Sequence, residues 1–91
     1  VTDADVIYTD VWVSMGEEGD RARREEALRD YQVNESVVDM AKEDVIVMHC
    51  MPVHVGEELT EGVLNSEEAV ILEQAENRLH AQKALLLELL K

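Results

Sequence analysis

The chain has 91 residues, which is one domain at most, and 21 acidic residues against 8 basic ones give it a formal net charge of −13. So negative a surface repels phosphate backbones and anionic lipid, which argues against nucleic acid and membrane as partners. A single cysteine excludes an internal disulfide framework and fits a reducing, cytoplasmic setting.

Residues 5–12, "DVIYTDVW", are rich in β-branched and aromatic types and read as a strand ending near Thr9. "SMGEEG" at 14–19 holds two glycines and no periodicity, a loop. "DRARREEALRDY" at 20–31 reads as a solvated surface helix, capped by Asp20 and supported by Arg21–Glu25 and Glu25–Arg29 at i,i+4. A second short helix spans 34–42, with Asn34 as N-cap and Val37, Val38 and Met40 to bury. "VIVMH" at 45–49 is apolar without alternation, as in a strand covered on both faces. Residues 59–66 offer a turn of helix, and "AVILEQ" at 69–74 reads as a third short strand. The final helix, 75–91, places Ala75, Leu79, Leu86, Leu89 and Leu90 on a face about 100° wide. Leu85 and Leu87 fall outside that stripe, so the helix is more apolar than one sheet face requires.

Apolar residues make up 46% of the chain, but with one Trp, two Tyr and no Phe the packing falls to Val, Ile, Leu and Met. Strands alternating with helices predict an α/β fold, a partial Rossmann-like parallel sheet of about three short strands. Parallel sheets normally have both faces covered, and the chain offers little to cover the second, so residues 1–91 read as a single partial domain, half of a larger doubly wound one. There is no basic-then-apolar leader and no apolar run of about 18 residues, so neither secretion nor membrane spanning is expected.

In open parallel sheets ligands collect beyond the carboxyl ends of the strands. There the sequence sets Asp10, Trp12, Ser14 and Met15 after the first strand and His49, Cys50, Met51 and Pro52 after the second. Glu76, Asn77 and Arg78 follow the third. An acid, a hydroxyl, a thiol and a guanidinium would share one edge. Each also has a plain reading: Asp10 and Ser14 can satisfy loop amides, and Cys50 can serve as a small buried hydrophobe. Arg78 near a helix start is poorly placed against the helix dipole, which favours an anionic or carbonyl partner. His49, Cys50 and His54 match none of the usual zinc spacings. His80 reads as a helix-surface residue and the acidic positions 17, 18, 20, 57 and 58 as solvated.

"DVIYTDVWVSMG", "MHCMP" and "EQAENRLHAQKALL" together resemble, in order and spacing, the C-terminal, ornithine-binding portion of the ornithine carbamoyltransferase family. That family shows Asp-x-Trp-x-Ser-Met-Gly, His-Cys-Leu-Pro and Glu-Asn-Arg stretches. Met51 replaces the usual Leu, a swap of similar volume, and Val55 stands where many bacterial members carry arginine. The Ser-x-Arg-Thr-Arg phosphate motif of the family's N-terminal domain has no counterpart in these residues. The resemblance implies transfer of a carbamoyl group from carbamoyl phosphate to L-ornithine without metal or organic cofactor. It implies that Asp10, Ser14 and the Met15 backbone hold the ornithine α-amino and carboxylate groups, and that Cys50 and Asp10 attend its δ-amine. The Met51 carbonyl, Cys50 and Arg78 would orient and polarise the carbamoyl group. Carbamoyl phosphate would then need the family's N-terminal domain, and the 91 residues alone would not turn over. The rival readings are a non-catalytic half-domain that forms a homo-oligomer through its last helix, and a carbamoyltransferase for aspartate or an acetylated ornithine. The Ser-Met-Gly stretch favours plain ornithine.

Overall fold

The structure is a computed structural model describing residues 1–14, 16 and 18–91, apart from the side chain of Glu18. Its centre is a pair of parallel strands, β1 (Val6–Thr9) and β2 (Ile46–His49), in the register Val6↔Ile46, Ile7↔Val47, Tyr8↔Met48 and Thr9↔His49. Between them run α1 (Arg21–Leu28), a 3-10 turn (Arg29–Tyr31) and α2 (Glu35–Met40). After β2 come α3 (Glu61–Leu64) and the long α4 (Ile71–Leu89). The fold is α/β with a parallel sheet, as the alternation of strands and helices predicts.

The third strand is a correction. It is reduced to one parallel bridge, Val47↔Ala69, held by Val47 N–H to Glu68 O at 2.8 Å and Val70 N–H to Val47 O at 3.0 Å. β2 is therefore central, with β1 on one side and Ala69 on the other. Val70 and Ile71 suggest strand, but Leu72, Glu73, Gln74 and Ala75 are good helix formers. The helix consequently starts at Ile71, four residues earlier than the sequence pattern places it.

Alternation along the strands decides what each face does. Ile7, Val47 and His49 point into the core; Val6 and Tyr8 point the other way and are exposed. Val33, Val45, Leu59, Val63 and Ile71 complete the core, with Val37, Val38, Ala41, Val53, Leu64 and Ala69 packed against it. Asn34 caps α2 as expected, its side chain accepting from Val37 N–H at 3.0 Å. Met40, expected to bury, is exposed.

Asp20 does not cap α1. Its side chain makes no cap hydrogen bond and instead lies 3.5 Å from Arg23. α1 buries no residue, in keeping with a solvated helix, and the Arg21–Glu25 pair forms at 3.5 Å.

α4 buries only Ile71 among the described residues, and every residue from Ala75 onward is exposed. The stripe of Ala75, Leu79, Leu86, Leu89 and Leu90 therefore does not lie on the sheet; α4 projects from it as a rod about 28 Å long. No helix of the described residues is long and apolar enough to cross a membrane.

Candidate functional site at the strand tips

The register of β1 against β2 carries straight into the site. One residue beyond Thr9↔His49, Asp10 and Cys50 come opposite each other on the face that Tyr8 and Met48 share. They meet: the Cys50 thiol donates to Asp10 Oδ1 at 3.1 Å, and the same oxygen accepts Val11 N–H at 2.7 Å. The thiol bond, then the Val11 amide and the nearby His49, hold the Asp10 carboxyl below its usual range. The same bond, with partial burial and the Asp10 charge, pushes the Cys50 thiol up, while a hydrogen bond with Tyr8 pulls it down. The pair thus keeps its proton on sulfur and its charge on the carboxylate. Activated cysteine nucleophiles need the opposite shift. Cys50 therefore faces Asp10 as a hydrogen-bond donor, with an anion beside it.

The loop after Cys50 is fastened from inside the core. His49 is buried; its Nδ1 accepts Met51 N–H at 2.8 Å, and its Nε2 lies 2.8 Å from Glu58 Oε2. An Nδ1 that accepts leaves Nε2 as the nitrogen bearing hydrogen. Glu58 Oε2 also accepts His54 N–H at 2.8 Å. Met51 sits at φ 60°, the left-handed region that a methionine seldom occupies, and the His49 ring holds its amide there. A turn through Gly56, at φ 89° and donating to Leu59 O at 2.8 Å, brings Glu58 round beneath the strand tip. The Met51–Pro52 peptide is cis.

Glu58, read from sequence as solvated, is the largest miss. It is 0% exposed and is the buried partner of His49. Glu57 is not free either: Arg21 Nη1 reaches both its oxygens, at 2.9 and 2.8 Å. That contact keeps the Arg21 guanidinium above its usual value. An available signal for Glu58 was the inward register of His49, since a buried imidazole requires a polar partner.

Metal binding fares poorly on the donor chemistry. Both ring nitrogens of His49 are engaged, which removes it from any His49–Cys50–His54 set. A ring nitrogen of His54 and carboxylate oxygens of Glu57 and Glu58 lie within 4.8 Å of one another. However, Glu57 is taken by Arg21, and Glu58 Oε2 by His49 and His54 N–H. What remains, Glu58 Oε1 and His54 Nδ1, is two donors where zinc sites use three or four.

Of the other expected site residues, Ser14 is exposed in the loop after β1, and Met15 lies outside the described residues. Arg78 is exposed in the third turn of α4, because the helix starts at Ile71; the dipole argument for its partner therefore lapses. No hydrogen bond or ion pair of Arg78 with Asp10 or Cys50 is found among the described residues; the α4 residue that reaches the strand tips is Gln74, one turn earlier on the same helix face. Gln74 Oε1 accepts His49 N–H at 2.9 Å and its Nε2 donates to Tyr8 OH at 3.0 Å, so that face meets the tips of both strands. His80 pairs with Glu76 at 3.3 Å on the helix surface, as expected.

Residues 1–89 match the family model described as aspartate/ornithine carbamoyltransferase, Asp/Orn binding domain. The ornithine carbamoyltransferase of Oceanobacillus iheyensis is 58% identical over 90 residues, 99% of this chain and 28% of that protein. The structure of the Pyrococcus furiosus ornithine carbamoyltransferase superposes with a TM-score of 0.86 at 56% identity, covering 94% of this chain and 28% of that one. The anabolic enzyme of Campylobacter jejuni gives a TM-score of 0.88 at 40% identity, covering 97% of this chain and 29% of that one. The chain spans between a quarter and a third of the length of these relatives. Three sequence motifs, a parallel sheet with a thiol and a carboxylate at its tips, and a match over 1–89 agree: the chain belongs to the aspartate/ornithine carbamoyltransferase family, within its Asp/Orn binding domain.

Proposed function

We propose that the chain is the ornithine-binding portion of a cytoplasmic carbamoyltransferase of arginine metabolism that converts carbamoyl phosphate and L-ornithine to L-citrulline and phosphate. The observation that carries this reading is the Asp10–Cys50 contact at the tips of two parallel strands. In that reaction the δ-nitrogen bonds to the carbonyl carbon, the carbon–oxygen bond to phosphate breaks, and phosphate leaves with the electron pair. The amine must first shed a proton. An anionic Asp10 offers the ammonium form a charge and the neutral amine an acceptor for its N–H, which leaves the nitrogen lone pair free to attack; the proton released as the new bond forms departs with phosphate. Asp10, Ser14 and the Met15 backbone take the α-amino and carboxylate groups. Cys50, the Met51 carbonyl and Arg78 take the carbamoyl group, where a guanidinium offsets charge developing on oxygen. Holding two substrates in register is worth up to about 7–11 kcal/mol.

Without a phosphate-binding motif the 91 residues by themselves do not gain that advantage. A citrulline assay on this chain should read no turnover, and activity abolished by Asp10→Asn would overturn the inactivity. Calorimetry with L-ornithine tests the site itself: heat of binding lost in Asp10→Asn supports it, and no heat with the wild-type chain refutes it. A second reading, a non-catalytic half-domain that self-associates, is favoured by the exposed leucines 79, 86 and 87 of α4 and Leu90 just past its end. A stable monomer in light scattering at high concentration would count against it.

A further inference from the structure

Met51 holds a backbone conformation, φ 60°, that glycine takes freely and methionine does not. A residue so placed persists only where its surroundings fix it. What fixes Met51 is a short chain of hydrogen bonds under the sheet. Met51 N–H donates to His49 Nδ1, His49 Nε2–H to Glu58 Oε2, and His54 N–H to that same oxygen, each at 2.8 Å. The His49 and Glu58 side chains are both fully buried.

The far end of this chain is anchored in the rest of the fold. Val33 N–H donates to Glu58 O at 2.9 Å, and Gln32 Nε2 donates to the Gly56 and Glu57 carbonyls, each at 3.0 Å. His49 is also held at its own amide, which donates to Gln74 Oε1 at 2.9 Å. The ring therefore stands between fixed points. A carboxylate can only accept, so Nε2 is the donor and Nδ1 is left to receive Met51 N–H.

The effect reaches the open face. A peptide unit is planar and carries both of its Cα atoms in the plane. A pinned Met51 N–H thus also fixes the direction in which the chain leaves Cys50, whose thiol meets Asp10 at 3.1 Å on the other side of the sheet. We infer that Glu58 is a positioning residue: acting through His49, it holds the Cys50–Met51 peptide and with it the end of the site that receives the δ-amine. Glu58 touches no substrate itself. The inference rests on the ornithine reading proposed above.

The test uses the whole chain. L-Norvaline is L-ornithine with hydrogen in place of the δ-amine, so the ratio of their affinities in calorimetry isolates that end of the site. Glu58→Met keeps the side-chain length without an acceptor. His49→Gln still donates to Glu58 but has no acceptor at the place of Nδ1; it keeps a partner for the buried carboxylate and is the variant expected to stay folded. Each should cut the preference for ornithine about two- to tenfold, the worth of one hydrogen bond, and leave norvaline binding unchanged. Glu58→Gln, whose carbonyl accepts from both donors, should keep the preference. Ligand-free NMR gives the second readout: His49 Nδ1 and the Met51 amide nitrogen should couple across their hydrogen bond in the wild-type chain and in Glu58→Gln, and not in Glu58→Met. A protonated Nδ1 in the wild-type chain, or coupling that survives in Glu58→Met, overturns the inference. So does a loss that falls equally on ornithine and norvaline, the mark of general loosening, or an ornithine preference undiminished in His49→Gln. No heat from ornithine in the wild-type chain refutes the ornithine reading instead, while the coupling, measured without ligand, still tells whether Glu58 holds Met51.

Discussion

Replacing Glu58 by alanine should remove a large part of the chain's stability. Its carboxylate is 0% exposed and accepts from His49 Nε2 and His54 N–H, both at 2.8 Å. Truncation leaves two buried donors without partners, at about 1–3 kcal/mol each. Breaking a buried pair from one side usually costs about 3–5 kcal/mol. Globular chains of this length hold about 5–14 kcal/mol in all. Glu58→Gln separates hydrogen bonding from mere side-chain volume. Its carbonyl oxygen can accept from both donors, and its amide takes the position of Oε1, which is buried and unpartnered. Both native donors keep an acceptor, so the glutamine variant should lose far less than the alanine one, about 1 kcal/mol. Urea unfolding followed by far-ultraviolet dichroism and Trp12 fluorescence reads both. A Glu58→Ala midpoint within about 1 kcal/mol of wild type, or a glutamine variant as weak as the alanine one, would refute the reasoning.

Leu59→Ala should cost about 2–5 kcal/mol in the same titration, because Leu59 is fully buried in the core cluster. Asn34→Ala should cost about 1 kcal/mol through loss of the α2 cap, while Asp20→Ala should cost almost nothing, since Asp20 makes no such bond. Stability should also follow the two shifted groups. The Asp10 pKa is depressed on folding, so its contribution is present above its ordinary 3.8 and is lost as pH falls through the folded value. The Cys50 pKa is raised, so its contribution is present below the ordinary 9.0 and is lost as pH rises through the folded value. Both limbs should be shallow, given the exposure of Cys50, and Asp10→Asn should flatten both in denaturation measured across pH.

The strands were legible because their residues are unambiguous. "DVIYT" and "VIVMH" are β-branched runs closed by polar residues, and the parallel pairing followed from the helices between them. Asp10 and Cys50 were legible for the same reason, as the first residues past two strand ends in equal register. "AVILEQ" misled because its first half favours strand and its second favours helix, and one bridge at Ala69 is what survives of the former. The leucines of α4 give a clear helical stripe, yet periodicity does not say what the stripe faces. Glu58 was missed because two adjacent glutamates after a glycine look like a solvated turn; only the inward aim of His49, a question of register, separates them. Gln74 and Tyr8 are neutral, and their roles rest on which atom of an amide faces which hydroxyl, a matter of coordinates.

His49 and Cys50 are neighbours in sequence that face opposite directions, one anchored below the sheet to Glu58, the other meeting Asp10 above it. Deleting one residue within 46–48 would draw the thiol into the pocket shaped for an imidazole, and adding one there would carry the imidazole to the carboxylate. The length of this stretch is therefore fixed from two sides at once. Substitution in this part of the protein can change letters but cannot change their number.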